Sequence, residues 1–267
     1  MATVHGLIEA YLEKEDKAIL GKVLEQLKTT KDLWTVLVRA TKSFYLGAEH
    51  DKATAYLFTN KEYADNFVRE VKWGGIEAKY LEVRPEQRLS FFSDLCRSGF
   101  EAVCIDKGED SLVLSLYGII DKPVPDPTGP IIMNPTLVRA GNQFYQELAG
   151  KRAIKPMQDL MCREIYKAKL LVPVAAEEGK GRHVVEKGSE ITFATLTAPE
   201  DKKYIPVFSD WNEFARYDKK KQYDAVVVEF ADFSQLIEHV DGIALNPFGF
   251  NLLLDGEKIR SIEDEAR

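Results

Sequence analysis

The run Gly242-Ile243-Ala244-Leu245-Asn246-Pro247-Phe248-Gly249-Phe250-Asn251-Leu252-Leu253-Leu254 decides the fold. Two short apolar segments flank a turn built from Asn, Pro and Gly, the composition of a β-hairpin. An earlier stretch has the same plan. Val103-Cys104-Ile105-Asp106 corresponds to Ile243-Ala244-Leu245-Asn246, and Leu112-Val113-Leu114 corresponds to Leu252-Leu253-Leu254 at the same offset. Working outward, Tyr56-Leu57-Phe58-Thr59-Asn60 with Glu62-Tyr63 matches Pro206-Val207-Phe208-Ser209-Asp210 with Glu213-Phe214. Each is a strand that ends in a hydroxyl and an Asx residue, then a helix with an aromatic on its inner face. Leu81-Glu82-Val83 matches Val228-Glu229-Phe230, and both lead into apolar-striped helices. These ordered matches predict two tandem copies of one α+β unit.

The local signals fill in each copy. Leu7, Ile8, Tyr11, Leu12, Ile19, Leu20, Val23, Leu24 and Leu27 recur at helical spacing, with Thr3 as N-cap. Gly21 or the charged stretch before Ala18 is where this helix would divide. Strands are expected at Trp34 to Val38, Ala53 to Phe58, Glu77 to Val83, Ala102 to Ile105 and Leu112 to Leu116. Helices are expected around Phe67 and after Pro85. The first copy is the longer one, with Trp73-Gly74-Gly75 in its extra stretch. In the second copy a helix opens at Pro156. Strands are expected at Leu170 to Val174, Ile191 to Thr195, Tyr204 to Phe208 and Ala225 to Phe230, before the terminal hairpin. Each unit is then a small mixed sheet covered by helices, part parallel through its crossovers and ending in an antiparallel hairpin. Five prolines between Asp121 and Pro135 forbid regular structure. The division is therefore a first unit over 1–120, a Pro-rich linker over 121–141 and a second unit over 142–267.

With 267 residues, 45% hydrophobic and 30% charged, the chain has the composition of a soluble globular protein and enough length for two cores. A net charge of -7 disfavours nucleic acid, and Lys219-Lys220-Lys221 lacks the interleaved aromatics of a single-strand platform. The apolar runs are too short for a membrane span, and no signal peptide is visible at Met1 to His5. A cytoplasmic protein is expected. The three cysteines (Cys96, Cys104, Cys162) form no C-x-x-C pair, and the four histidines (His5, His50, His183, His239) lie far apart. Neither a nucleotide loop nor a G-x-S-x-G nucleophile occurs. No cofactor, metal site or catalytic residue is expected.

The second copy also carries a family resemblance. Ile191 to Leu196, Tyr204-Ile205-Pro206-Val207-Phe208-Ser209-Asp210-Trp211 and Gly242 to Gly249 resemble the N-terminal domain of the SseB family, enhanced serine sensitivity protein B. The resemblance covers Met157 to about Ile259, and the first unit, about Leu20 to Leu116, is a more diverged version of it. It implies the α+β fold. The family is known by a serine-sensitivity phenotype and brings no established catalytic residue, so the resemblance adds little about function.

The candidate binding site is the second hairpin turn: Asn246, Pro247, Phe248, Gly249 and Phe250, joined by Trp211 at the nearby helix start. Two aromatics within three residues, on a turn stiffened by proline, suit a partner-binding hot spot if they point outward. Folded inward they would form a small core. Asp210 and Glu213 read as a capping box, which accounts for both without chemistry. Glu82 and Glu229 hold equivalent places and either line a cleft or face solvent. The leading function is a non-enzymatic adaptor that binds another protein. The alternatives are a small-molecule or amino-acid sensing domain with a pocket between the units, and an enzyme of unrecognised type.

Overall fold

A computed structural model describes residues 3–120, 132–175 and 193–266. The proline segment Asp121 to Ile131 and the polar stretch 177–188, with Ile191 and Thr192, lie outside the described residues. The chain forms two compact units. Met1–Pro125 groups with Asn142–Ala153, and Asp126–Gly141 groups with Ile154–Arg267. No helix among the described residues is long and apolar enough to cross a membrane.

The first unit opens with α1 (Val4–Lys14) and α2 (Lys17–Thr29). Thr3 Oγ1 caps α1 by accepting the Gly6 N–H, as expected. The division falls at Glu15, in the left-handed region at φ 50°, with Asp16 capping α2; Gly21 continues the helix. There follow β1 (Trp34–Val38), β2 (Ser43–Phe44), β3 (Gly47–Glu49), β4 (Lys52–Phe58), α3 (Lys61–Trp73), β5 (Ala78–Glu82), α4 (Arg88–Arg97), β6 (Ala102–Ile105) and β7 (Leu112–Ser115). Across the sheet the order is β5-β1-β4-β6-β7, with β2 also on β1 and β3 on β4. Only β4 and β6 are parallel; the other pairs are antiparallel.

Period-two alternation explains why β4 is apolar nearly throughout. Its Ala55 and Leu57 join Val4, Ile8, Val23, Leu27, Phe92 and Leu95 in one core. Tyr56 and Phe58 join Ala64, Phe67, Val68 and Val71 of α3 on the opposite face. Helices therefore cover both faces.

The second unit holds a four-stranded and a two-stranded sheet. Its elements are α6 (Lys155–Lys167), β8 (Lys169–Ala175), β9 (Leu196–Thr197), β10 (Lys203–Val207), α7 (Trp211–Tyr217), β11 (Tyr223–Glu229), α8 (Phe233–Leu236), β12 (Gly242–Leu245), β13 (Leu252–Asp255) and α9 (Gly256–Ala266). Strand β11 pairs with β8 antiparallel, and β8 meets β10 through an antiparallel bridge, Leu171 to Phe208. Strand β10 runs parallel to β12, and β12 pairs antiparallel with β13. Taken across that single bridge between two sheets, β11-β8-β10-β12-β13 follows the order and senses of β5-β1-β4-β6-β7. The first unit's sheet and the sheet of β9, β10, β12 and β13 are mixed, β8 and β11 form a two-stranded antiparallel sheet, and helices cover them, in keeping with the α+β expectation.

Two elements escape the sequence reading. Helix α5 (Pro135–Ala149) has no counterpart among the expected elements, and its first residues fall within the 121–141 span expected as linker. Its end, from Asn142, belongs to the first unit, where the Gln146 amide both accepts from the Leu46 N–H (2.9 Å) and donates to the Leu46 carbonyl (2.8 Å). Helix α9, capped by Asp255, follows the hairpin directly. Of the strand expected at Ile191 to Thr195, Ile191 and Thr192 lie outside the described residues, Phe193 makes an isolated bridge with Val174, and β9 begins at Leu196.

Arg88 is the largest fully buried side chain of the first unit. Its guanidinium donates to the carbonyls of Val83, Leu27 and Thr30, tying the C-terminal end of α2 to the segment after β5. Burial lowers its pKa below the ordinary arginine value. Three carbonyls and the negative end of a helix dipole satisfy the buried cation. Arg88→Ala, which leaves those carbonyls unpaired, is expected to lower the unfolding free energy by about 3 kcal/mol. Arg88→Lys, lacking the planar fork, should recover less than half of that loss in urea titrations.

Candidate functional site

Both parallel strand pairs end in the same local arrangement. At the end of β12, Asn246 adopts φ 47°, a left-handed conformation that Asn and Asp tolerate better than most residues. Its N–H donates to the Val207 carbonyl, carrying the β10–β12 ladder one step further (2.9 Å). Its side chain, almost wholly buried, accepts from the Ser209 N–H (3.0 Å) and donates to Ser209 Oγ (2.9 Å). Ser209 Oγ donates onward to Asp210 (2.8 Å), whose other oxygen caps α7 by accepting from the Asn212 and Glu213 N–H groups. One chain of hydrogen bonds therefore runs from the hairpin turn to the start of α7. The acceptor half of the expected capping box is in place, while Glu213 pairs with Arg216 (2.5 Å).

The turn residues separate by depth. The Gly249 N–H donates to the Asn246 carbonyl (2.9 Å), and Gly249 is buried against α7. A Cβ there would come within 3.0 Å of a Glu213 oxygen, so glycine permits this approach. Phe250 is 4% exposed, with its ring over Gly141, where a Cβ would lie 2.7 Å from the ring. Phe250 is therefore the inward aromatic. Phe248 is 43% exposed and points outward, its ring 6.2 Å from Tyr217. Pro247 is half-buried between them. Trp211 is half-buried, 5.4 Å from the Phe214 ring. Tyr217, Tyr223 and Trp211 all pack at the edge of the core formed by Leu171, Phe208 and Phe214.

In the first unit Asp106 takes the place of Asn246, at φ 54° and wholly buried. Its N–H donates to the Leu57 carbonyl, and its carboxylate accepts from the Thr59 N–H and Thr59 Oγ1, each at 2.7 Å. Asn60 caps α3 by accepting the Glu62 N–H (2.9 Å). The carboxylate also meets His5 Nδ1 at 2.9 Å. His5 stands beside Tyr63, ring centroids 5.7 Å apart, in a cleft of about 380 Å³ that Thr3, Gln26, Thr59 and Asn60 also line. Burial and the fields of Glu109, Asp106, Glu62 and Glu9 raise the Tyr63 pKa. His5, Glu9 and Asp110 bring one ligand atom each within 4.8 Å of the others. Sequence reasoning missed this group. The available signal was the i, i+4 spacing of His5 and Glu9 on the first helix, which sets both on one face.

Other sequence candidates have structural duties. Glu82 and Glu229 are exposed, and Glu229 pairs with Lys169 (3.4 Å). Cys96 and Cys104 are buried, and burial pushes the Cys104 thiol up to about 11, away from a reactive thiolate. His183 lies outside the described residues.

A mixed sheet with an Asx-locked hairpin and a capped helix at its end is the class of domain that the second unit defines. Residues 140–261, in the second half of the chain, match the SseB protein N-terminal domain. The match starts within α5, earlier than the Met157 at which the resemblance begins in the sequence. Curated proteins give no match to the chain. Among solved structures, Tic22 from Plasmodium falciparum is 12% identical, with a TM-score of 0.20, over 91% of this chain and 96% of that one. Anabaena Tic22, described as a protein of protein transport, is 9% identical, with a TM-score of 0.19, over 90% and 96%.

The depths of the two aromatics set the outcome of replacing them. Phe250→Ala removes a buried ring and should cost about 3 kcal/mol or more of stability. Phe248→Ala should leave the thermal midpoint within about 2 °C of wild type, since exposed side chains contribute little. Differential scanning calorimetry of the two single variants separates them.

Proposed function

We propose that the chain is a tandem pair of one α+β unit, acting in the cytoplasm as a non-enzymatic protein-binding module that docks its partner on the second unit. The shared strand order, the shared pairing senses and the matching Asx locks support the tandem reading. The observation that carries the binding reading is the exposed Phe248 ring, held on a turn that Asn246, Pro247 and the Ser209–Asp210 chain make rigid. An aromatic anchor on a stiff turn loses little entropy on binding. Asn246 and Gly249 shape the turn, Phe250 anchors it from below, and Trp211 extends the aromatic surface. The polar groups at this end support a non-catalytic role, because Asp210, Ser209 and Asn246 are committed to one another and to backbone groups. The first unit has charged residues where the second has aromatics, which makes it the supporting copy.

Immobilised wild type and Phe248→Ala, compared by quantitative mass spectrometry of captured protein, test the reading. Loss of a specific partner by about tenfold or more, with an unchanged thermal midpoint, is expected for an anchor worth about 1.4 kcal/mol or more. Identical capture by both baits overturns it.

A further inference from the structure

We propose that the first unit carries a binding site for one divalent transition-metal ion, formed by His5 Nε2 and by one carboxylate oxygen each from Glu9 and Asp110. Two of these residues sit one turn apart on α1, and the third comes from the β6–β7 turn. Their ligand atoms lie within 4.8 Å of one another. Glu9 and Asp110 are exposed, so rotamer changes alone can bring their oxygens to the roughly 2.0–2.2 Å that such ions require.

A residue outside the triad prepares the histidine. Asp106 is wholly buried, and its carboxylate lies 2.9 Å from His5 Nδ1. An ionised carboxylate only accepts hydrogen bonds, so Nδ1 carries the ring proton and the lone pair of the neutral ring resides on Nε2. A carboxylate on the far nitrogen is the usual partner of a metal-bound imidazole, fixing both tautomer and ring orientation. Nε2 lies 3.7 Å from Glu9.

Charge points the same way. Among the described residues, Glu9 and Asp106 form ion pairs with His5 alone, and Asp110 with no cation. Lys107, next to Asp106 in sequence, pairs with Glu49 (2.8 Å). Three carboxylates thus converge on one imidazole, and a divalent cation balances them. The second unit shows that the turn itself needs no charge, because neutral Asn246 makes the equivalent bonds to Ser209. The negative charge at position 106 is accounted for by His5. Mixed imidazole and carboxylate donors suit Zn2+ and its neighbours in the first row, whereas Mg2+ and Ca2+ take all-oxygen shells.

The test is calorimetric titration of the untagged full chain with ZnCl2 after chelator treatment and dialysis, with Co2+ absorption as a second readout. One ion per chain is expected. Glu9→Gln and Asp110→Asn, both surface changes, should each weaken Zn2+ binding by about tenfold or more. Asp106→Asn should do the same while keeping the thermal midpoint near wild type. Its amide can keep the Thr59 bonds but presents an N–H to Nδ1, which moves the ring proton onto Nε2 and removes the lone pair. No saturable binding overturns the proposal, as does one-to-one binding that Glu9→Gln and Asp110→Asn leave unchanged. Should Asp106→Asn fail to fold, those two surface variants decide alone.

Discussion

The end of each parallel strand pair depends on one residue held in the left-handed region. Asp106 and Asn246 turn the chain out of a buried strand, and each keeps its own N–H in the ladder. Each also offers a side-chain oxygen to the N–H that follows the neighbouring strand, at Thr59 or Ser209. Few side chains meet both demands. The conformation penalises residues with a bulky Cβ, and the buried N–H requires an acceptor of short reach. With that bond in place the strands are pinned at their last residue, and the helix after the neighbouring strand starts at a fixed point.

What the two units build on this frame differs. Helix α3 lays Ala64, Phe67, Val68 and Val71 over its sheet, whereas the shorter α7 buries Phe214 alone and leaves Trp211, Tyr217 and Tyr223 half-covered. Burial, then a hydrogen bond with Tyr223, raises the Tyr217 pKa above the ordinary phenol value. The second unit is thereby left with aromatic surface at the end of its sheet. The first has carboxylates and an imidazole at the equivalent end.

Much of the fold was legible because strands and turns leave local marks. Trp34 to Val38 is a strand as expected, and both hairpins fall where the apolar runs and Asx turns place them. Helix α5 was obscured by the prolines that precede it, although Pro135 is a first-turn residue that opens it. The candidate site was legible only in part. Phe248 and Phe250 are chemically identical and two residues apart, so alternation along the turn cannot say which one turns inward. Gly141, more than a hundred residues earlier, supplies the flat seat that decides it. The contact of His5 with Asp106 is likewise set by how α1 lies across the sheet, which no spacing near either residue encodes.

The substitution of a carboxylate for an amide at the left-handed position also bears on how the chain avoids misassembly. Two units with one strand order and one pairing scheme are liable to exchange equivalent segments during folding, a known failure of repeated domains. The hairpin β6–β7 has the register to pair with β10, since each hairpin joins residues seven positions apart, Ile105 with Leu112 and Leu245 with Leu252. In that exchanged state the Asp106 carboxylate would be buried beside Ser209 and the Asp210 carboxylate, away from the His5 imidazole. The reverse exchange would set the Asn246 amide against His5 and leave α1 without its anionic contact. The buried Asp106 carboxylate thus has its imidazole partner at one sheet and none at the other, and the cost of leaving it unmatched disfavours the exchange.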